Sequence, residues 1–109
     1  WVRQHLIACL IAQCGAQPTR IVQEYAVQLN GQPQRADVVV VDDAARPLLV
    51  AECKAPHVKI DGRTFAQAVR YNSVLGARYV VLTNGLQHYC CEFCDGQYRR
   101  LDRFPDLRR

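Results

Sequence analysis

Two carboxylates and an amine fall where two short strands should bring them together. The stretch from Arg35 to Lys54 reads RADVVVV, a six-residue break DDAARP, then LLVAECK. If the break at 42–47 closes symmetrically, Val41 faces Leu48, Val39 faces Val50, Asp37 faces Glu52 and Arg35 faces Lys54. Side chains alternate faces along a strand, so 37, 39 and 41 share a face with 48, 50, 52 and 54. Directly opposed carboxylates repel and cost stability. A bound divalent cation and a phosphate would reverse that sign. Mg²⁺ (or Mn²⁺) wants hard oxygen ligands, usually one or two carboxylates completed by water and a substrate phosphate. Asp37 and Glu52 meet that need, and the Cys53 backbone carbonyl passes the same point. A cation held there polarises a phosphodiester and lowers the pKa of a bound water. Lys54, two residues on and on the same face, is placed to orient that water or to stabilise developing charge. The simpler alternative is that these charges cap strand ends and pair at the surface, where ion pairs are nearly neutral energetically.

The elements that must position these groups can be read from the apolar pattern. Val2, Leu6, Leu10 and Cys14 recur at spacings of four, the stripe of an amphipathic helix over 1–14, with Gly15 as terminator. In RIVQEYAVQL, strand alternation puts Ile21, Tyr25, Val27 and Leu29 on one face. Glu24 then falls on the other with Val22 and Ala26, an odd place for a charge. Asn30-Gly31 is a hairpin turn signal. The runs VVVV and LLVA are apolar on both faces, as expected of central strands covered on both sides. A helix fits 62–75, with Phe65, Ala68, Val69 and Leu75 facing the core. RYVVLTNG is a buried strand, so strand, helix and strand make a parallel βαβ unit. QHYCCEFC, Asp95-Gly96 and QYRRL read as a closing hairpin. The order αβββαβ plus hairpin predicts a three-layer α/β/α domain with a mixed, mostly antiparallel central sheet.

Length and composition bound the answer. The 109 residues suit one domain, half of them are apolar, and no run is long enough to span a membrane. The start lacks a signal-peptide pattern, so a cytoplasmic protein is expected. The absence of Met points to a trimmed domain of something larger. Net charge is +4, with Arg99, Arg100, Arg103, Arg108 and Arg109 crowding the end. Such a tail suits phosphate contacts but also reads as a solvated, poorly ordered terminus. Of the six cysteines, Cys90, Cys91 and Cys94 cluster in YCCEFC with His88 nearby. One CxxC without a second ligand pair is a weak zinc signal, and buried thiols explain the rest.

Asp37, then Glu52-Cys53-Lys54 at a strand end, resembles the PD-(D/E)xK nuclease superfamily. More closely, WVRQHL…IVQEYAV…RADVVVVD…PLLVAECKAP…QAVRYN…ARYVVLTNG is similar to the N-terminal nuclease-like domain of type I restriction enzyme restriction subunits. Ala36 stands where the superfamily name has Pro. The resemblance implies a restriction-endonuclease-like fold and Mg²⁺-dependent hydrolysis of DNA, with Asp37 and Glu52 as metal ligands and Lys54 as catalytic lysine. It further implies Gln67 and Tyr71 as a QxxxY motif facing the cleft, and Glu24 as an extra carboxylate. Arg35, Gln67, Arg70 and Tyr71 are candidate DNA contacts.

Residue-level alternatives stay open. Gln67 also closes a capping box with Thr64, Tyr71 suits an amphipathic core position, and Glu24 has Arg35 or Lys54 for an ion-pair partner. His57 and Lys59 follow the strand as exposed loop residues within reach of phosphate. At the level of function, a non-catalytic DNA-binding or assembly module is the first rival, because such domains work beside a translocase motor and a specificity subunit. No GxxxxGK[ST] loop is present here. A cysteine-based zinc or redox protein is the second.

Overall fold

Four consecutive valines leave no polar face on a strand, and the fold covers both of theirs. The computed structural model describes residues 1–108. Helix α1 (Val2–Ala12) leads into strands β1 (Ile21–Leu29), β2 (Gln32–Val41) and β3 (Pro47–Cys53). Helix α2 (Gly62–Leu75) and strands β4 (Tyr79–Thr83), β5 (His88–Cys94) and β6 (Gln97–Leu101) follow. The six strands form one sheet in chain order. Neighbours are antiparallel except β3 and β4, which run parallel across the α2 connection. On one face Val38, Val40, Leu49 and Ala51 meet Leu6 and Leu10 of α1; on the other, Val39, Val50, Val80 and Leu82 meet Ala68 of α2. This is the expected three-layer core with a mixed sheet. No helix among the described residues is long and apolar enough to cross a membrane.

Helix α1 ends as its sequence dictates. Gly15 takes φ 76°, and the Ala16 amide donates to the Leu10 carbonyl at 2.9 Å. The left-handed backbone at Gly15 turns the chain away from the helix axis and ends the helix. The end of the chain then docks against this turn. The Leu107 amide donates to the Cys14 carbonyl at 2.8 Å, and the Leu107 side chain is buried among the α1-side core residues. The expectation of a solvated tail is therefore corrected for the described part; Arg109 lies outside the described residues. The apolar Leu107, not the arginines around it, decides the outcome.

Two expectations about the strands and one about helix α2 also change. The β2–β3 register holds at Val39 opposite Val50 but shifts at the turn, where Val41 pairs with Pro47 rather than Leu48. The cause is the Asp42 side chain, which accepts the Ala44 and Arg46 amides and tightens the loop to one side. In β1, Ile21 packs on the α1 side whereas Tyr25 and Val27 pack on the α2 side. The strand changes face at Glu24, whose φ is 52°, so strict alternation fails there. Helix α2 buries Asn72, while Val69 stays half-buried. The Asn72 amide donates to the Ala77 carbonyl and the Tyr98 hydroxyl and accepts the Ala77 amide. A polar residue holds this core position because all its hydrogen-bonding groups are engaged.

Candidate functional site

The ladder between β2 and β3 stops at Val38 opposite Ala51. One residue further, the same register sets Asp37 against Glu52, and side chains replace the backbone ladder. The Asp37 amide donates to Glu52 Oε2 at 3.0 Å, and the Cys53 amide donates to Asp37 Oδ2 at 2.7 Å. Each carboxylate thus takes an amide from the opposite strand. The strands part beyond this point, and the Lys54 amide turns to the Thr83 carbonyl of β4 at 2.8 Å. Lys54 consequently has no Arg35 opposite it, contrary to the symmetric-closure expectation.

Burial sets the electrostatics. Glu52 is 7% exposed. Desolvation pushes its carboxyl up to about 7, and the Asp37 charge adds to this; the Asp37 amide bond and Lys54 oppose it. A buried carboxylate beside a second one is relieved by a cation. The oxygens not engaged with backbone, Asp37 Oδ1 and Glu52 Oε1, form a hard donor pair that fits Mg²⁺ or Mn²⁺. Among the described residues no group of three or more His, Cys, Asp or Glu is gathered to hold a metal ion. A cation on this pair would fill its remaining positions from water, backbone and substrate, the usual condition for Mg²⁺. Glu24 stays on the exposed rim, 3.9 Å from Arg35 Nη1. Arg35 is likewise exposed and lines a separate groove along the β1–β2 hairpin. Neither joins the pair.

Helix α2 supplies the other wall. Its N-terminus is capped by Asp61, which accepts the Arg63 and Thr64 amides, while Thr64 Oγ1 accepts the Asp61 amide. The capping box is therefore Asp61–Thr64, one turn earlier than the Thr64–Gln67 alternative. Gln67 is left to point at β3, where its Oε1 accepts from Lys54 Nζ at 3.0 Å. Tyr71, one turn on, is half-buried, and its hydroxyl pKa is raised by burial and then by the Glu52 and Asp37 charges. Glu52, Lys54, Gln67, Arg70 and Tyr71 line one cleft of about 240 Å³. The glutamate and lysine of one motif thus meet the glutamine and tyrosine of the other, with Arg70 beside them, and Asp37 borders them through its bond with Glu52.

Two residues that sequence reasoning passed over hold this arrangement in place. Asn84 is buried and donates to the Val58 carbonyl at 2.8 Å, pinning the loop that follows Lys54. Its Oδ1 accepts the Leu86 and Gln87 amides, and Thr83 Oγ1 accepts the Gly85 amide. Only the Asn-Gly pair in LTNG signalled a turn there. His57 and Lys59 in that loop are exposed. The YCCEFC residues do not converge. His88 Nδ1 lies 2.7 Å from Thr83 Oγ1, Cys90 and Cys91 are buried, and Cys94 is exposed. Desolvation pushes the Cys90 thiol up to about 12 and the Cys53 thiol likewise, so both stay protonated.

No curated protein matches the chain. Among solved structures it is similar to a fragment assigned as an HsdR subunit of a type I restriction enzyme from Vibrio vulnificus YJ016. The TM-score is 0.70 and the identity 23%, over 95% of this chain and 23% of that one. The likeness is one of fold, and the chain spans about a quarter of that protein's length. The family model described as type I restriction enzyme R protein N terminus (HSDR_N) matches residues 1–105. With nearly its whole length covered by that match, the chain belongs to the family of type I restriction enzyme R protein N termini.

Proposed function

We propose that this domain hydrolyses DNA phosphodiesters with Mg²⁺ or Mn²⁺, as the nuclease part of a type I restriction enzyme R subunit. On this reading it is a PD-(D/E)xK nuclease acting in restriction and defence. Asp37 and Glu52 would hold the cation, with the Cys53 carbonyl as a third ligand. When bound, such an ion supplies a polarised phosphate and a more acidic water. Lys54, fixed by Gln67, orients the attacking water and offsets negative charge as it develops on the phosphate. Gln67, Arg70 and Tyr71 contact the DNA backbone along the α2 wall. The partners would be DNA and a translocase or specificity subunit.

The observation that carries this reading is the meeting in one cleft of Glu52, interlocked with Asp37 through backbone amides, and a lysine held 3.0 Å from a helix glutamine. Surface charges capping strand ends do not need a buried glutamate, nor a lysine anchored from a second element. Incubation of plasmid with Mg²⁺ or Mn²⁺ tests it: the chain should nick or linearise DNA, and Lys54→Ala and Asp37→Ala should not. Cleavage surviving both substitutions would overturn the assignment. DNA binding that falls steeply with salt, without cleavage under any divalent cation, would favour a DNA-binding module instead.

A further inference from the structure

Asp37, one member of the carboxylate pair, also lines a second groove, on the α1 side. It holds about 640 Å³ and is lined by Trp1, Arg3 and Gln4 at the start of α1, by Glu24 of β1, and by Asp37 and Lys54. Trp1 is 73% exposed and is the chain's only tryptophan. It is nevertheless held in place. Its six-membered ring lies over Gly85, where a Cβ would collide with Cζ3, and Gly85 sits at φ 89°. Its plane is 12° from that of His5, with ring centroids 6.0 Å apart. The turn that carries Gly85 is the one whose Asn84 pins the loop after Lys54. A flat aromatic ring is thus supported from below, open to solvent, and tied to the scaffold of the carboxylate site.

We propose that this groove binds a single DNA strand, with an unpaired base stacked on Trp1 and the adjoining phosphate beside Arg3. The proposal rests on the nuclease reading and adds the form of DNA taken. Every base offers a π-face, so stacking on a fixed aromatic is tolerant of sequence. In a duplex those faces are covered by neighbouring base pairs, and the base must be unpaired to reach the ring. A nucleotide supplies in one unit the planar group that suits Trp1 and the anion that suits Arg3 and Lys54. The strand then crosses the open end of β2 and β3, where the ladder has already parted, and reaches the carboxylates from the α1 side.

The test uses the chain with Ca²⁺ in place of Mg²⁺, so that binding is read without cleavage. Trp1 emission is followed during titration with short oligothymidylate and, separately, with a blunt duplex of equal length; anisotropy of labelled DNA gives the affinities. Saturable quenching by the single strand is expected. Trp1→Ala should lose about tenfold in single-strand affinity, Trp1→Phe much less, and duplex affinity should change by less than about twofold. Single-strand binding with unchanged emission, or equal losses for single strand and duplex, would overturn this inference and leave the nuclease reading intact. Should Trp1→Ala not fold, the emission of the unsubstituted chain still decides. Absence of binding to either DNA would overturn both readings.

Discussion

Asp37 and Glu52 hold each other's strands: the Asp37 amide bonds to the Glu52 carboxylate and the Cys53 amide to the Asp37 carboxylate. Two like charges are in this way fixed side by side at the end of a buried sheet. The two hydrogen bonds satisfy backbone groups that the parting strands would otherwise leave without partners. They also fix both side chains before any ligand arrives. The arrangement costs electrostatic energy that a bound cation would relieve.

That cost should be visible in the pH dependence of stability. Burial lifts Glu52 from 4.5 to about 7, so the folded chain binds this proton more tightly than the unfolded chain. The stability gained is fully present below the unfolded value and is lost as pH rises through 7. The loss amounts to about 3 kcal/mol. Glu52→Gln keeps an acceptor for the Asp37 amide and removes the titration. Urea unfolding in EDTA at about pH 5 and about pH 8 should show the unsubstituted chain losing stability relative to Glu52→Gln. Excess Mg²⁺ at the higher pH should recover it in the unsubstituted chain only. A gap between the two chains that does not change with pH would contradict the assigned burial.

The Lys54–Gln67 bond separates positioning from metal binding. Lys54→Ala should lower single-turnover cleavage by about 10²–10³-fold, the usual effect of losing one group that stabilises developing charge. Gln67→Ala leaves Lys54 present but unanchored and should lower it by about tenfold. Neither touches the oxygen donors, so Mn²⁺ affinity by calorimetry should stay within about twofold of the unsubstituted chain. A large loss of Mn²⁺ affinity in Gln67→Ala would place that residue in the ligand set instead.

Much of the α/β/α fold and of the cleft was legible in the sequence because both rest on apolar runs and fixed spacings. VVVV and LLVA demand cover on two faces, and four residues between Gln67 and Tyr71 put both on one side of α2. What stayed illegible depends on single side-chain hydrogen bonds. Asp42 drags the turn off its symmetric register, Asp61 takes the cap assigned to Thr64, and Asn72 enters the core. In each case a short polar side chain reaches a backbone group that no pattern of hydrophobicity encodes. The face change at Glu24 was hidden for a different reason, since alternation assumes that every residue keeps extended backbone angles.

The docked C-terminal segment should matter for stability rather than chemistry. Leu107 is 8% exposed, and Leu107→Ala should cost about 2 kcal/mol. Gly15→Ala should also cost about 1 kcal/mol or more, because φ is positive there and the added Cβ meets Arg108 Cγ. Since the second penalty is partly a clash with one side chain, combining Gly15→Ala with Arg108→Ala should cost less than the sum of the two. Denaturation of the single and double variants would show this, and strict additivity would exclude the contact.

Glu24 gives a test of stored backbone strain. Its φ of 52° is one that asparagine tolerates and most residues do not. Glu24→Asn and Glu24→Ala both remove the carboxylate and its exposed 3.9 Å pairing with Arg35, which is worth little. Only the asparagine variant suits the backbone. Glu24→Asn should therefore be more stable than Glu24→Ala by about 1 kcal/mol, and at least as stable as the unsubstituted chain. If the carboxylate on the groove rim also serves cleavage, both variants should lose activity to the same extent despite their different stabilities. Equal stabilities would mean the backbone at this position is relaxed, and the change of face in β1 would then need another cause.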